Sequence, residues 1–375
     1  MQPFRIHYTE TEIENLNRRL DATRWPTIPF DTGWSSGTND RVLRDLVRYW
    51  RRDYDWFEVQ EELNRLTHLC GPVGGEEVLH CVTYRGVRGG HRPPLLLLHG
   101  WPGSFVEFLD AAEMLASGMD GEPGFDLVVP SLPGFVFSEA PRAPGMHAGQ
   151  IAERMHALMQ ELGFEQYSVQ GGDWGAIIGT ALAHQHPQAV VGLHVNFVHP
   201  ATLLSAEEKL SKEEEAYLAG FKRFQAEETA YSQIQRTRPQ TVAYAQQDSP
   251  VGLLAWILEK FWAWSDHGDD LWQIFTKDRI LTNVMLYWLP GSVLSSARIY
   301  YETFFNMPKE LRSGRVEVPT GYARFPAEPW APPRETAARQ YNLIHYSELP
   351  RGGHFAAMEQ PALWAADVAA FFSRI

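Results

Sequence analysis

The pentapeptide Gly171-Gly172-Asp173-Trp174-Gly175 constrains this chain more than any other stretch. It follows an apolar, strand-like run, Tyr167-Ser168-Val169-Gln170, and opens a stretch with helical character, Ala176 to His186. A strand that turns directly into a helix crowds the turn residue, so only small neighbours are tolerated, here Gly171 and Gly175. This is the layout of a nucleophile elbow, with Asp173 where serine is usual. A carboxylate cannot run serine acyl transfer. It can attack a saturated, electrophilic carbon and form an alkyl ester. Gly-Gly-Asp is also a common turn, and Asp173 could simply cap the following helix. The rest of the chain has to decide.

From about residue 76 the pattern alternates between strands and helices. Candidate strands are Val78–Tyr84, Pro94–Leu98, Asp126–Val129, Tyr167–Gln170, Val190–Val195, Arg315–Pro319 and Asn342–Tyr346. Helical stretches fall at 104–116, 148–162 and 175–186. That order predicts an α/β fold with a mostly parallel central sheet covered on both faces. Residues 10–66 read as helical, with Glu12, Ile13, Leu16 and Leu20, then Val42, Leu43, Leu46 and Trp50, on a helical period. Trp25-Pro26 and Gly37-Thr38-Asn39 break them. Residues 198–312 interrupt the alternation. Leu203 to Glu228 is charged and helix-favouring, and Val251 to Trp264 is aromatic and amphipathic. The return of a strand at Arg315 favours a helical cap inserted between sheet strands over an independent helical domain. The expected division is an N-terminal helical wrapping segment (1–75), a core (76–197 and 313–375) and a cap (198–312).

Composition narrows the function. With 375 residues, 44% of them apolar, the chain can bury a large core. A net charge of −13 without a long basic run argues against nucleic acid and anionic membranes as partners. Two cysteines, Cys70 and Cys81, form neither a disulfide framework nor a metal cluster, so no metal and no cofactor is expected. The start, Met1 to His7, lacks an apolar signal core, and the longest aliphatic run, Leu95 to Leu98, is too short for a bilayer. A cytoplasmic protein is the expectation, although a processed leader would leave no trace.

Other motifs supply possible partners for Asp173. His99-Gly100-Trp101-Pro102-Gly103 follows a strand and could aim the Trp101 N–H at an oxyanion. The Trp174 N–H would be the second donor. His354, in Gly352-Gly353-His354-Phe355, follows the last candidate strand, where a histidine could activate water. The chain has 14 histidines, but the order nucleophile, acid, histidine places this one well. The orienting acid should then lie between them at a strand end. Glu328 leads there; Glu317 within a strand, Glu335 at a helix start and Glu348 near His354 remain rivals.

Together these residues resemble the microsomal-type epoxide hydrolases along nearly the whole chain. Arg24-Trp25-Pro26, Tyr49-Trp50 and Tyr54-Asp55-Trp56 look like that family's N-terminal region, which wraps an α/β-hydrolase core. His99 to Phe105 is similar to its oxyanion loop, and Gly171 to Gly175 to its elbow. Phe325-Pro326-Ala327-Glu328 and Arg351 to Ala357 match the segments of its acid and its histidine. The resemblance implies an epoxide opened to a vicinal diol through an ester on Asp173, with His354 as general base and Glu328 as orienting acid. It further implies two ring-opening tyrosines, for which Tyr231 and Tyr300 fit; Tyr244 and Tyr301 are nearby alternatives. The family's membrane-spanning N-terminal helix has no counterpart here, so the chain looks like a soluble, bacterial-type member, for which natural-product tailoring is a suitable role.

A small epoxide and water are the expected partners, and homodimer formation is left open. A hydrophobic or aryl epoxide is the expected substrate. Trp256, Trp262, Trp264 and Trp288 would either line an aromatic pocket or, for most of them, form the cap's own core. Two other functions compete. A haloalkane dehalogenase of the same fold also uses an elbow aspartate, but it must hold a halide with N–H donors, and tyrosine hydroxyls suit an epoxide oxygen better. A non-catalytic binding protein on this fold would be expected to have lost a catalytic residue, and none is lost.

Overall fold

The computed structural model describes residues 1–74, 77–87, 92–119, 121–199, 209–309, 311 and 314–375. Its strands are β1 (Gln2–Pro3), β2 (Thr67–Pro72), β3 (Val78–Tyr84), β4 (Leu95–Leu98), β5 (Leu127–Pro130), β6 (Tyr167–Gly171), β7 (Val190–Val195), β8 (Val316–Arg324) and β9 (Tyr341–Glu348). They form one sheet in the order β1-β2-β3-β5-β4-β6-β7-β8-β9. Pairings from β5 through β4 to β9 are parallel, and those from β1 to β3 and on to β5 are antiparallel. All four leucines of β4 are fully buried, as suits a central strand covered on both faces.

All seven candidate strands are present. Two were not foreseen: β1 and β2 extend the sheet from within the N-terminal segment expected to be helical. Three helices there match the periodicity, α1 (Glu10–Asp21), α2 (Asp40–Arg52) and α3 (Trp56–Leu63), but residues 22–39 between the first two are not helical. Local chemistry sets their starts. Thr9 and Glu12 form a capping box, and Asn39 and Asp55 each accept two backbone N–H bonds at the ends of α2 and α3. Their apolar faces, including Leu16, Leu20, Leu46 and Trp50, are buried.

The core helices are α4 (Leu109–Ser117), α5 (Ala148–Glu161) and α6 (Asp173–Gln185). Between β7 and β8 lies a helical insert: α7 (Lys212–Glu228), α8 (Ala230–Thr237), α9 (Pro239–Asp248), α10 (Pro250–Trp264), α11 (Lys277–Trp288) and α12 (Val293–Asn306). Residues 203–208, at the start of the stretch read as helix-favouring, lie outside the described residues. The chain closes with α13 (Arg334–Gln340), α14 (Ala356–Glu359) and α15 (Pro361–Phe372).

The N-terminal segment grips the insert as well as the sheet. Trp34 stacks on Trp262 with ring centres 4.4 Å apart. Tyr49 donates to Asp278 at 2.8 Å, Thr38 to the Ala255 carbonyl at 2.6 Å, and Arg19 to Asp248 at 2.8 Å. Its expected role as packing material thus has a definite object, since it ties the insert down over the carboxyl ends of the strands.

Candidate active site

Asp173 sits where β6 turns into α6, with a φ of +47°, a left-handed conformation that non-glycine residues seldom adopt. Both flanking glycines are needed. A Cβ on Gly171 would lie 2.3 Å from the Gly175 carbonyl carbon, and one on Gly175 would lie 1.9 Å from the Leu98 oxygen. The turn therefore thrusts the Asp173 carboxylate out at the end of the sheet.

Its two oxygens have different neighbours. Oδ1 accepts the Trp101 N–H at 2.8 Å. Oδ2 lies 3.3 Å from His354 Nε2. His354 Nδ1 in turn meets Glu328 Oε2 at 2.7 Å, and Glu328 Oε1 accepts the Trp330 N–H at 2.9 Å. Burial disfavours a charged imidazole, but Glu328 and Asp173 outweigh it and hold His354 well above its ordinary value. The rival acids lie elsewhere. Glu317 pairs with Arg315, Glu348 pairs with Arg324, and Glu335 is exposed at the start of α13.

The loop after β4 is shaped from both sides. His99 Nδ1 lies 3.0 Å from the Gly100 carbonyl, and its Nε2 accepts the Leu132 N–H at 3.3 Å. Burial pushes it down to about 4, so it is neutral. From the insert, Asn283 donates to the Pro102 carbonyl and accepts from Ser104, both at 2.7 Å, while Tyr287 donates to the Gly103 carbonyl at 2.7 Å. Trp174 lies in the first turn of α6, where backbone N–H groups lack partners within the helix.

Tyr231 on α8 and Tyr300 on α12 reach the same place from different helices, with ring centres 5.9 Å apart. Trp101 packs against both, stacked on Tyr231 at 5.2 Å and edge-on to Tyr300 at 5.9 Å. Burial, the other hydroxyl and the Asp173 carboxylate hold Tyr300 well above its usual range; burial and Asp173 do the same for Tyr231. Both are therefore protonated at neutral pH. Tyr244 is 72% exposed, and Tyr301 lines a separate surface groove.

Asp173, Tyr231 and Tyr300 share a cavity of about 430 Å³, walled further by Trp174, Phe197 and Trp330. The four tryptophans singled out in the insert do not line it. Trp262 stacks on Trp34, Trp256 donates to Gln235, Trp264 packs against His354 and Tyr231, and Trp288 lies under Arg19. Their packing role prevails.

Several contributors carried no signal in the sequence. Asn283 and Tyr287 are among them, and so is Glu359. Its carboxylate accepts the N–H groups of Gly353 and Phe355, which flank His354, and that of Asp266 from the insert, at 2.8–2.9 Å. Burial pushes Glu359 up to about 7 despite these bonds. Such residues act through contacts distant in sequence, and no local motif surrounds them. Among the described residues no group of three or more His, Cys, Asp or Glu side chains could hold a metal ion, and no helix is long and apolar enough to cross a membrane.

Fold and site together define an α/β-hydrolase-fold enzyme with an aspartate at its elbow. Comparison with known proteins narrows this. Residues 1–108 match the family model "Epoxide hydrolase N terminus", and 93–241 match "alpha/beta hydrolase fold". Epoxide hydrolase 1 of Oryctolagus cuniculus is 36% identical, over 99% of this chain and 88% of its own length. The crystal structure of juvenile hormone epoxide hydrolase from the silkworm Bombyx mori superposes with a TM-score of 0.91 at 34% identity, covering 100% of this chain and 94% of that one. The Aspergillus niger epoxide hydrolase structure gives a TM-score of 0.87 at 29% identity, covering 100% and 96%. The chain belongs to the microsomal-type epoxide hydrolase family.

Proposed function

We propose that this protein opens a hydrophobic or aryl epoxide to a vicinal diol through a covalent ester on Asp173. The observation that carries the reading is that the Asp173–His354–Glu328 line meets two protonated tyrosines across one apolar-walled cavity. In this reading the insert acts as a cap over the core. An Asp173 oxygen attacks an epoxide carbon, and the carbon–oxygen bond of the ring breaks. The released oxygen takes a proton from Tyr231 or Tyr300, since an alkoxide is too poor a leaving group without an acid. The resulting tyrosinate is later reprotonated.

Ester formation also changes His354. The imidazole is held protonated partly by the Asp173 charge, and the ester removes that charge. His354 then releases its proton more readily, which restores the tyrosine in the overall balance, and its Nε2 becomes free to act as a base. It takes a proton from water, which attacks the ester carbonyl carbon. The oxyanion faces the N–H of Trp101 and that of Trp174, a stabilisation of about 3 kcal/mol per donor. Glu328 holds the imidazolium, which returns its proton to the departing diol oxygen; the acid left on Asp173 then gives its proton to His354 and restores the resting pair.

The test is a single turnover in heavy-oxygen water. Label should enter the Asp173 carboxylate and be absent from the first diol. Label in the first-turnover diol would exclude the ester, and chloride release from a chloroalkane with no diol from any epoxide would move the protein to dehalogenation.

A further inference from the structure

Lys260, on α10, takes no part in the chemistry above, yet its side chain is only 5% exposed. A long lysine stem normally lets the ammonium reach water, and its burial is costly. Here the ammonium lies over the Tyr231 ring, 4.6 Å from its centre, and 5.4 Å from that of Trp264. It pairs with Glu259, which is itself partly exposed and does not require a buried partner. Glu228 is near enough to feel its charge.

The surroundings of Tyr231 give this placement a purpose. Asp173, Glu328 and Glu259 all act on its hydroxyl, and each carboxylate opposes the loss of its proton; the Tyr300 hydroxyl helps it. A general acid gains negative charge as its proton leaves. A cation over the ring face attracts that charge, which spreads into the ring. Tyr300 is bordered instead by the neutral indoles of Trp101 and Trp174.

We propose that Lys260 is a positioning residue that makes Tyr231 the principal proton donor in ring opening, by holding its charge over the phenol ring. The proposal rests on Tyr231 being one of the ring-opening acids. Lys260 also touches Trp264, whose ring packs 4.9 Å from that of His354, so a purely structural role would act on ester hydrolysis instead.

The experiment measures single-turnover alkylation and ester-hydrolysis rates with styrene oxide. Lys260→Met, Lys260→Gln and Lys260→Arg are compared in wild-type, Tyr231→Phe and Tyr300→Phe backgrounds. Both neutral variants should slow alkylation roughly ten- to thirtyfold, between the size of an exposed and of a fully desolvated cation–π contact, and leave hydrolysis unchanged. The loss should be larger in Tyr300→Phe, where Tyr231 acts alone, and absent in Tyr231→Phe. Lys260→Arg should recover most of the rate. An equal loss with and without the Tyr231 hydroxyl, or slowed hydrolysis, overturns the proposal while leaving the tyrosine reading intact. Normal alkylation in Tyr231→Phe, with no added loss when Tyr300→Phe is combined with it, overturns both. Should Lys260→Met fold poorly by its thermal midpoint, the Gln and Arg pair still decides.

Discussion

Below the cavity, Asp173 is fixed by the backbone. A left-handed φ, two glycines in contact with neighbouring main chain and a buried parallel strand on either side leave its carboxylate one place to go. Above the cavity, Tyr231 and Tyr300 are held by side-chain contacts rather than by backbone strain. They sit on ordinary helices, and aromatic neighbours from the core and the insert bring them together. The floor is thus specified by covalent geometry within five residues. The roof is specified by how the helices of the insert and the N-terminal segment settle on the core. Changes to the floor should therefore cost structure, whereas changes to the roof should cost rate.

Glycine substitution gives the largest expected contrast. Gly175→Ala places a methyl group 1.9 Å from the Leu98 oxygen, so it should cost at least about 4 kcal/mol and abolish activity. Gly220→Ala, in the insert helix α7, meets nothing within 4 Å and should be neutral or stabilising by about 1 kcal/mol. Urea denaturation measures both, and equal losses would break the distinction.

Removing both tyrosine hydroxyls is the next largest. The Tyr231→Phe, Tyr300→Phe double variant should lose about 10³-fold or more in alkylation rate, with each single variant losing far less. Its thermal midpoint should stay within a few degrees of wild type. A double variant that fails to fold would mean that the roof, too, is structurally constrained.

Asn283→Ala tests the seam between the two halves, because it removes the insert's hold on the Pro102 carbonyl and on Ser104. Roughly tenfold slower ester hydrolysis and a loss of about 1–3 kcal/mol in stability are expected, read by rapid-quench kinetics and denaturation. A change in alkylation alone would show that the loop serves the first step instead.

The smallest effect lies away from the site. His68 and His80 are buried in contact at 2.8 Å, and His80 also meets Ser131 at 2.9 Å. Burial holds both below their ordinary values, with His68 adding to the shift of His80. The unfolded chain therefore binds more protons, so this contribution is complete above about pH 6.5 and declines as pH falls below it. Each histidine should lose up to about 1.4 kcal/mol per pH unit. The stability difference between pH 7.5 and pH 5.5 should shrink in His80→Gln; an unchanged difference would remove the pair from the account.

What could be read in the sequence follows the same division. The elbow was legible because backbone strain writes itself into neighbouring residues, here glycine at 171, 172 and 175 around the acid at 173. The parallel strands were legible from continuous apolar runs, and His354 from its place after the last of them; Glu328 led its rivals only modestly by position, and the resemblance raised it above them. The resemblance to a known family raised Tyr231 and Tyr300 above twelve other tyrosines; periodicity alone did not. Short edge strands such as β1 have too few residues to show a pattern. Only the tertiary structure placed Lys260 over Tyr231, Glu359 beneath the His354 loop and Trp330, rather than the insert's tryptophans, in the cavity wall. Those contacts join residues far apart in the chain, and neither partner's immediate neighbours need to differ from those of any packed helix. Local geometry leaves a local record, whereas convergence across the fold leaves none until the chain has closed.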